Sequence, residues 1–185
     1  MDDPASLFVL LAADIDGAAE MPTLLTSILK ILLVIFLVLA NGFFVASEFA
    51  LVAVRKSRIE AMASEGDGAA VRLLAMLNNL SAYISATQLG ITLSSLGLGW
   101  VGEPAIAALL EPVLVSAGNI TGAAFLTSGA VLHTISFAIS FSIITFLHIV
   151  FGELAPKTAA LELSEKVSFV VAAPLRLFYA IFSYP

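Results

Sequence analysis

Residues 24–54 read LLTSILKILLVIFLVLANGFFVASEFALVAV, an apolar run that is interrupted only by Lys30, Asn41 and Glu48 as strongly polar side chains. About 20 apolar residues cross a bilayer as a helix, so this run is long enough to span a membrane with tilt. It ends at the basic residues 55–58, which read RKSR. Basic clusters next to a span stay on the cytoplasmic side. The run therefore predicts a first membrane-spanning helix whose N-terminal end lies outside the cell.

The composition of the whole chain indicates a membrane protein. Hydrophobic residues make up 60% of the 185 residues and charged residues 12%, with a mean hydropathy of +1.06, whereas soluble domains carry about a quarter charged residues. The absence of cysteine excludes thiolate metal sites, and two histidines do not favour a zinc site. No basic stripe with aromatics suggests nucleic-acid binding. No nucleophile–base pair or phosphate-binding loop appears, so an enzyme is not expected.

Two more spans are predicted further along the chain, which makes an all-α integral membrane fold. Residues 83–101 form the second span and carry polar side chains at helical spacing on one face. The sequence Gly-Glu-Pro at 102–104 predicts its end. Residues 105–115 are apolar but too short to cross, so they predict a re-entrant or interfacial segment. Residues 125–151 form the third span.

The remaining segments predict juxtamembrane structure. Residues 57–80 mix charged and apolar positions around a Gly-containing break, which predicts two short amphipathic helices at the inner interface. Residues 158–169 suit a further interfacial helix. Residues 167–184 suit either a fourth span or an apolar segment that leads into a following part of the protein. We favour three full spans. Residues 1–22 are acidic where a secretory signal is basic, and they predict an external tail.

The carboxylate of Glu153 is the first candidate for chemistry. It follows a long run without charged side chains and lies in the sequence FGELAPK at 151–157. A carboxylate at membrane depth is costly and usually faces a cavity, a partner or an ion. Pro156 removes a backbone donor and disturbs the preceding turn, which frees carbonyl oxygens. An ion pair of Glu153 with Lys157 at i,i+4 is the alternative interpretation.

Two other polar groups accompany this carboxylate. In the first span, Ser47 and Glu48 follow Asn41 beside a stripe of small residues that suits close helix contact. In the second span, Gln88 and Thr92 lie on the polar face. All of these groups supply oxygen ligands and no sulfur, which selects Mg²⁺, Ca²⁺, Na⁺ or H⁺.

Three motifs together resemble one known family. The stretches NGFFVASEFALV at 41–52, TQLGITL at 87–93 and FGELAPK at 151–157 are similar to the transmembrane domain of the CNNM/CorC family of magnesium transporters. The resemblance covers roughly residues 24–185 and assigns 23–185 as one transmembrane domain. It implies a homodimer in membrane lipid, three spans per subunit, an external N-terminus, and Mg²⁺ export coupled to Na⁺ entry.

The resemblance also implies a set of metal-binding residues. The family's intramembrane Mg²⁺ site uses a serine of the first span, oxygens of the second span and the glutamate of the third. Carried onto this chain, those positions are Ser47, the segment from Gly90 to Ser94, and Gly152 with Glu153. This chain has no asparagine between 83 and 101, where some relatives carry one. Further oxygens near the site are expected from Gln88, Thr92 and Glu48, with Gln88 and Thr92 suited to Na⁺.

The predicted function is therefore a bacterial inner-membrane cation transporter domain with a cytoplasmic C-terminus. Family members usually continue into cytoplasmic CBS domains, which this chain does not contain. A Mg²⁺-sensing regulatory or scaffold protein without transport is the alternative. An exporter of peptides or toxins is a weaker alternative, because the polar groups concentrate at one depth in the membrane instead of lining a wide path. Flux into proteoliposomes separates transport from sensing.

Overall fold

The computed structural model describes residues 23–123 and 128–182. The predicted external tail, residues 1–22, lies outside the described residues. Within those ranges the secondary structure is entirely helical, which confirms the prediction of an all-α membrane domain. In chain order the helices are α1 (Thr23–Ala53), α2 (Lys56–Ser64), α3 (Gly68–Asn78), α4 (Leu80–Thr121), α5 (Gly129–Leu147), a π-helical segment (His148–Leu154), α6 (Ala155–Glu162) and α7 (Ser164–Phe182).

Three stretches of the described chain are long and apolar enough to cross a membrane, as predicted. They are α1, α4, and the continuous run Gly129–Glu162, which joins α5, the π-helical segment and α6. The large side chains on the outside of these spans are mostly apolar, whereas several side chains buried between the spans are polar. Phe36 is 63% exposed and Trp100 85%, whereas Ser47 and Thr87 are fully buried. Large apolar side chains on the outside, with hydroxyls inside, suit helices that are surrounded by lipid.

The second span continues further than the sequence predicted. We expected it to end at residues 102–104, followed by a re-entrant or interfacial segment at 105–115; this was wrong, because α4 runs unbroken through Pro104 and Pro112. At about 1.5 Å per residue, α4 is roughly twice as long as the hydrocarbon core is thick. Leu98 and Ala105, on either side of Pro104, both pack in a cluster with Ile144 of α5. Packing across the proline therefore keeps the helix continuous despite the lost hydrogen bond.

The short helices gather at what we call the basic end of the domain, where α1 is followed by Arg55, Lys56 and Arg58. The two short helices predicted within 57–80 are confirmed as α2 and α3. They pack with α7 on the end of α1, and the buried side chains of this core include Leu51, Ile59, Leu73, Met76 and Leu175. The α7 helix is not among the three spans. It instead covers the base of the bundle, which favours the interpretation of residues 167–184 as an apolar connecting segment over a fourth span.

Polar contacts hold these short helices in place. The side chain of Asp67 caps α3 by accepting hydrogen bonds from the backbone N–H groups of Ala69 and Ala70. Arg58 of α2 donates from Nε to the Glu165 carboxylate of α7 at 2.7 Å. The short helices thus form a small, connected layer below the spans.

Candidate metal site in the membrane

The third span changes its helical geometry just before Pro156. Residues His148–Leu154 form a π-helical turn, and α6 follows without a break, with Pro156 in its first turn. The sequence predicted a disturbed turn here because proline has no backbone N–H. The disturbance takes the form of a widened turn inside a continuous helix. Such π-helical turns are frequent at functional sites.

Helix α1 lies directly against this turn. A Cβ atom on Gly42 would lie 2.9 Å from the carbonyl oxygen of Phe151 and 2.9 Å from Cγ of Pro156. Neither contact leaves room for a side chain, so glycine lets the two backbones meet. One residue earlier, Nδ2 of Asn41 donates to the carbonyl oxygen of Gly152 at 3.0 Å. Asn41 is 2% exposed and supplies a donor to one of the backbone oxygens in the proline-disturbed turn.

A chain of hydrogen bonds extends from Asn41 across all three spans. Ser95 of α4 donates from Oγ to Oδ1 of Asn41 at 3.2 Å, and the same Oγ lies 3.2 Å from Nε2 of His148. A hydroxyl has one hydrogen, which goes to Asn41, so the contact with His148 requires Nε2–H as the donor. We call Asn41, Ser95, His148 and the Gly152 carbonyl the interhelical network. Being satisfied internally, it suits the low dielectric of a membrane interior.

The sequence did not place the side chains of this network among the metal-site residues. Asn41 was noted only as a polar side chain of the first span, and neither Ser95 nor His148 was predicted to be a ligand. One signal was available, because Asn41 is the only side-chain amide in α1. Its partners were not visible, since they lie 54 and 111 residues away along the chain.

The second close approach between spans occurs at Gly90. A Cβ atom there would lie 2.5 Å from the ring of Phe44, whose centroid is in turn 4.7 Å from that of Phe178 in α7. Gly90 is buried, and Ser94, one turn further, is 5% exposed. The structure therefore brings the predicted second-span segment directly onto α1.

We expect Gly90→Ala to destabilise the domain by about 1–3 kcal/mol, the usual range for overpacking. The whole Phe44 ring would have to move, and Phe178 stands behind it. Thermal unfolding in detergent measures the effect. Gly99→Ala is the matched control, because a Cβ there meets no atom within 4 Å. Equal unfolding temperatures for the two variants would contradict the proposed close contact.

The other predicted metal-site residues fall into two groups. Ser47 is fully buried and donates from Oγ to the Phe43 carbonyl of its own helix at 2.7 Å, which leaves hydroxyl lone pairs available. Glu48 is half-buried. Gln88 and Thr92 are exposed on α4, where the Thr92 hydroxyl donates to the Gln88 carbonyl. Their side chains thus lie on the outer surface of the single chain.

The side chain of Glu153 is exposed. It lies on the π-helical turn, which contacts α1 through the neighbouring residue Gly152. Within residues 23–123 and 128–182, its carboxylate has no ion pair or hydrogen bond. The alternative partner Lys157 instead holds Nζ 4.6 Å from the centroid of the Phe49 ring. A cation–π contact of this kind takes the place of the i,i+4 ion pair. The carboxylate therefore remains free to bind a cation.

Few charged side chains are available around this turn to bind a metal ion. In the described part of the chain, no group of three or more histidine, aspartate or glutamate side chains is placed to hold a metal ion. An ion at this turn would be bound by one carboxylate together with hydroxyl and carbonyl oxygens. The structure joins Gly152 and Gly90 to α1, but it shows no hydrogen bond between Glu153 and Ser47 or Glu48. Those residues remain predicted ligands.

Three apolar spans with a buried polar network between them define a multi-pass membrane protein. The chain belongs to the CNNM family, described as the Cyclin M transmembrane N-terminal domain, which matches residues 32–185. It is 45% identical over 150 residues to the UPF0053 protein YhdT of Bacillus subtilis, covering 81% of this chain and 31% of that protein. It is 46% identical over 154 residues to YhdP of the same organism, covering 83% and 33%. The chain therefore spans about a third of the length of these relatives.

Proposed function

We propose that this domain exports Mg²⁺ across the bacterial inner membrane in exchange for Na⁺, and that it is a transporter and not an enzyme. The free carboxylate of Glu153 carries the proposal. It lies on the π-helical turn next to Gly152, whose carbonyl oxygen accepts a hydrogen bond from α1. An unpaired acid in a membrane span calls for a cation. Membership of the CNNM family supports a role in cation transport.

The available donors suit a weakly held Mg²⁺ ion. Mg²⁺ demands octahedral oxygen geometry at about 2.0–2.1 Å and gives up its water reluctantly. We assign the carboxylate of Glu153, the hydroxyls of Ser47 and Ser94, and the carbonyls of Gly90 and Gly152 as the donors. Glu48, on the first span next to Ser47, adds a second carboxylate. One or two charges with neutral oxygens bind the ion loosely enough for release, which transport requires.

Movement of α1 against the π-helical turn would assemble and open this site. The donors lie on three spans, and α1 touches the other two through glycines at Gly42 and Gly90. At Gly42 the backbones of α1 and the third span meet directly, and such a contact allows small sliding motions between packed helices. We propose that Mg²⁺ and Na⁺ favour different arrangements of α1, which is the condition for exchange.

We further propose that the domain works as a homodimer. Polar side chains facing lipid are costly, yet Gln88, Thr92 and Glu153 are all exposed on the single chain. A second copy covering this polar surface would remove that cost. The basic residues at 55–58 place the basic end in the cytoplasm by the positive-inside rule. CBS domains of the full-length protein would follow α7 on that side.

The proposal is tested by Mg²⁺ flux from proteoliposomes that contain the full-length protein. We expect Mg²⁺ movement that depends on the protein and increases severalfold when an opposing Na⁺ gradient is imposed, with choline as the control cation. Flux that is independent of Na⁺ would leave a Mg²⁺ channel as the better interpretation. Mg²⁺ binding without any flux would favour a sensor.

A further inference from the structure

A cavity with polar and apolar walls lies between α4 and the third span, and it reaches His148 at the start of the π-helical turn. Its volume is about 170 Å³, and its polar lining comes from Ser95, Glu103, Thr145 and His148. Leu98 and Ile144 form apolar walls. The polar groups thus converge on one space between two spans, on the side of Ser95 that leads away from the basic end.

The carboxylate of Glu103 has no neutralising partner there. It is half-buried, and within the two described ranges no basic side chain pairs with it and no hydrogen bond reaches it. The next acid along α4 differs, because Glu111 is 2.8 Å from Nδ1 of His133. Trp100, one turn before Glu103, is 85% exposed, as expected of an aromatic residue in lipid or at the membrane interface. A half-buried acid at this position needs a counter-charge.

We infer that this cavity binds Na⁺, through the Glu103 carboxylate and the hydroxyls of Thr145 and Ser95. The inference rests on the proposed exchange function and identifies where the counter-ion binds. A single carboxylate with neutral oxygens matches the charge of one monovalent cation. A space of about 170 Å³ holds more than one water beside the ion, so the ion can keep part of its hydration shell. This location differs from the exposed Gln88–Thr92 pair.

The cavity is connected to the proposed Mg²⁺ site through Ser95. Its Oγ lines the cavity and also donates to Asn41, which holds the Gly152 carbonyl next to Glu153. A cation that recruits the Ser95 oxygen therefore changes the hydrogen bonds that position the π-helical turn. This is a physical route by which Na⁺ binding alters Mg²⁺ affinity, and the coupling must be reciprocal.

Equilibrium binding of ²²Na⁺ to the full-length protein in nanodiscs, without Mg²⁺ and with choline holding the ionic strength constant, tests the inference. We expect Glu103→Gln to weaken Na⁺ binding at least about tenfold, the change that one lost charge–cation contact readily produces. Thr145→Val, which keeps the side-chain shape, should weaken it less. Glu111→Gln is the matched control, because its carboxylate lies on the same helix outside the cavity, and it should bind as the unmutated protein does.

Unchanged Na⁺ affinity in a folded Glu103→Gln variant would overturn the inference, as would a loss of Na⁺ binding in Glu153→Gln alone. If Glu103→Gln does not fold, unchanged Na⁺ affinity in Thr145→Val combined with Ser95→Ala would overturn it equally. Na⁺ binding that depends on Glu103 in a protein that moves no Mg²⁺ would support the cavity and reject the exchange function. The two proposals therefore fail separately.

Discussion

Replacing Glu153 with glutamine is expected to abolish Mg²⁺ transport while the protein still folds. Glutamine keeps the size and one oxygen of the side chain but removes its charge, and no described residue pairs with that charge. Ligand charge tunes the affinity of oxygen-bound divalent cations over orders of magnitude, so we expect Mg²⁺ affinity to fall by about a hundredfold or more. Isothermal calorimetry and proteoliposome flux measure the two effects.

The control for this variant is Glu162→Gln, at an exposed acid near the end of α6. It removes the same charge from the same continuous helical run, about 14 Å further along at 1.5 Å per residue, and should leave binding and flux unchanged. Because the Glu153 carboxylate is exposed, neither variant should lower the unfolding temperature without Mg²⁺. A Mg²⁺ affinity that is the same in Glu153→Gln and in the unmutated protein would exclude Glu153 as a ligand.

Replacing Asn41 with leucine is expected to lower the stability of the domain and to impair transport as well. Leucine has a similar volume but cannot donate to the Gly152 carbonyl or accept from Ser95. Leaving a buried carbonyl without its donor costs about 1–3 kcal/mol, although hydrogen bonds between membrane helices are often worth less. We expect a lower unfolding temperature, and reduced Mg²⁺ flux because the π-helical turn is no longer held against α1.

Ser95→Ala separates the two hydrogen bonds of Asn41. It removes the bond to α4 but keeps the bond to Gly152, so its unfolding temperature should lie between those of Asn41→Leu and the unmutated protein. Its flux should be less affected than that of Asn41→Leu. If Asn41→Leu unfolds and transports as the unmutated protein does, the interhelical network does not position the turn.

Local patterns in the sequence determined much of this architecture. Hydropathy identified three spans because each crossing needs its own apolar run, whatever lies beside it. The mixed charged and apolar positions of 57–80 predicted α2 and α3 for the same reason, since amphipathicity is a property of the segment itself. The motifs around Ser47, Gly90 and Glu153 were sufficient to indicate the family, whereas the class of ion that the oxygen donors suggest stays a prediction.

Tertiary contacts decided the rest. Whether α4 ends at Pro104 depends on Ile144 of another helix, which packs across the proline, and no local signal reports that support. The interhelical network joins Asn41 to Ser95 and Gly152, and residues so distant along the chain can be paired only by packing. The cavity at Glu103 likewise exists only because α4 continues beside α5. Segments are encoded by short-range patterns, whereas a site between spans is created where their surfaces meet.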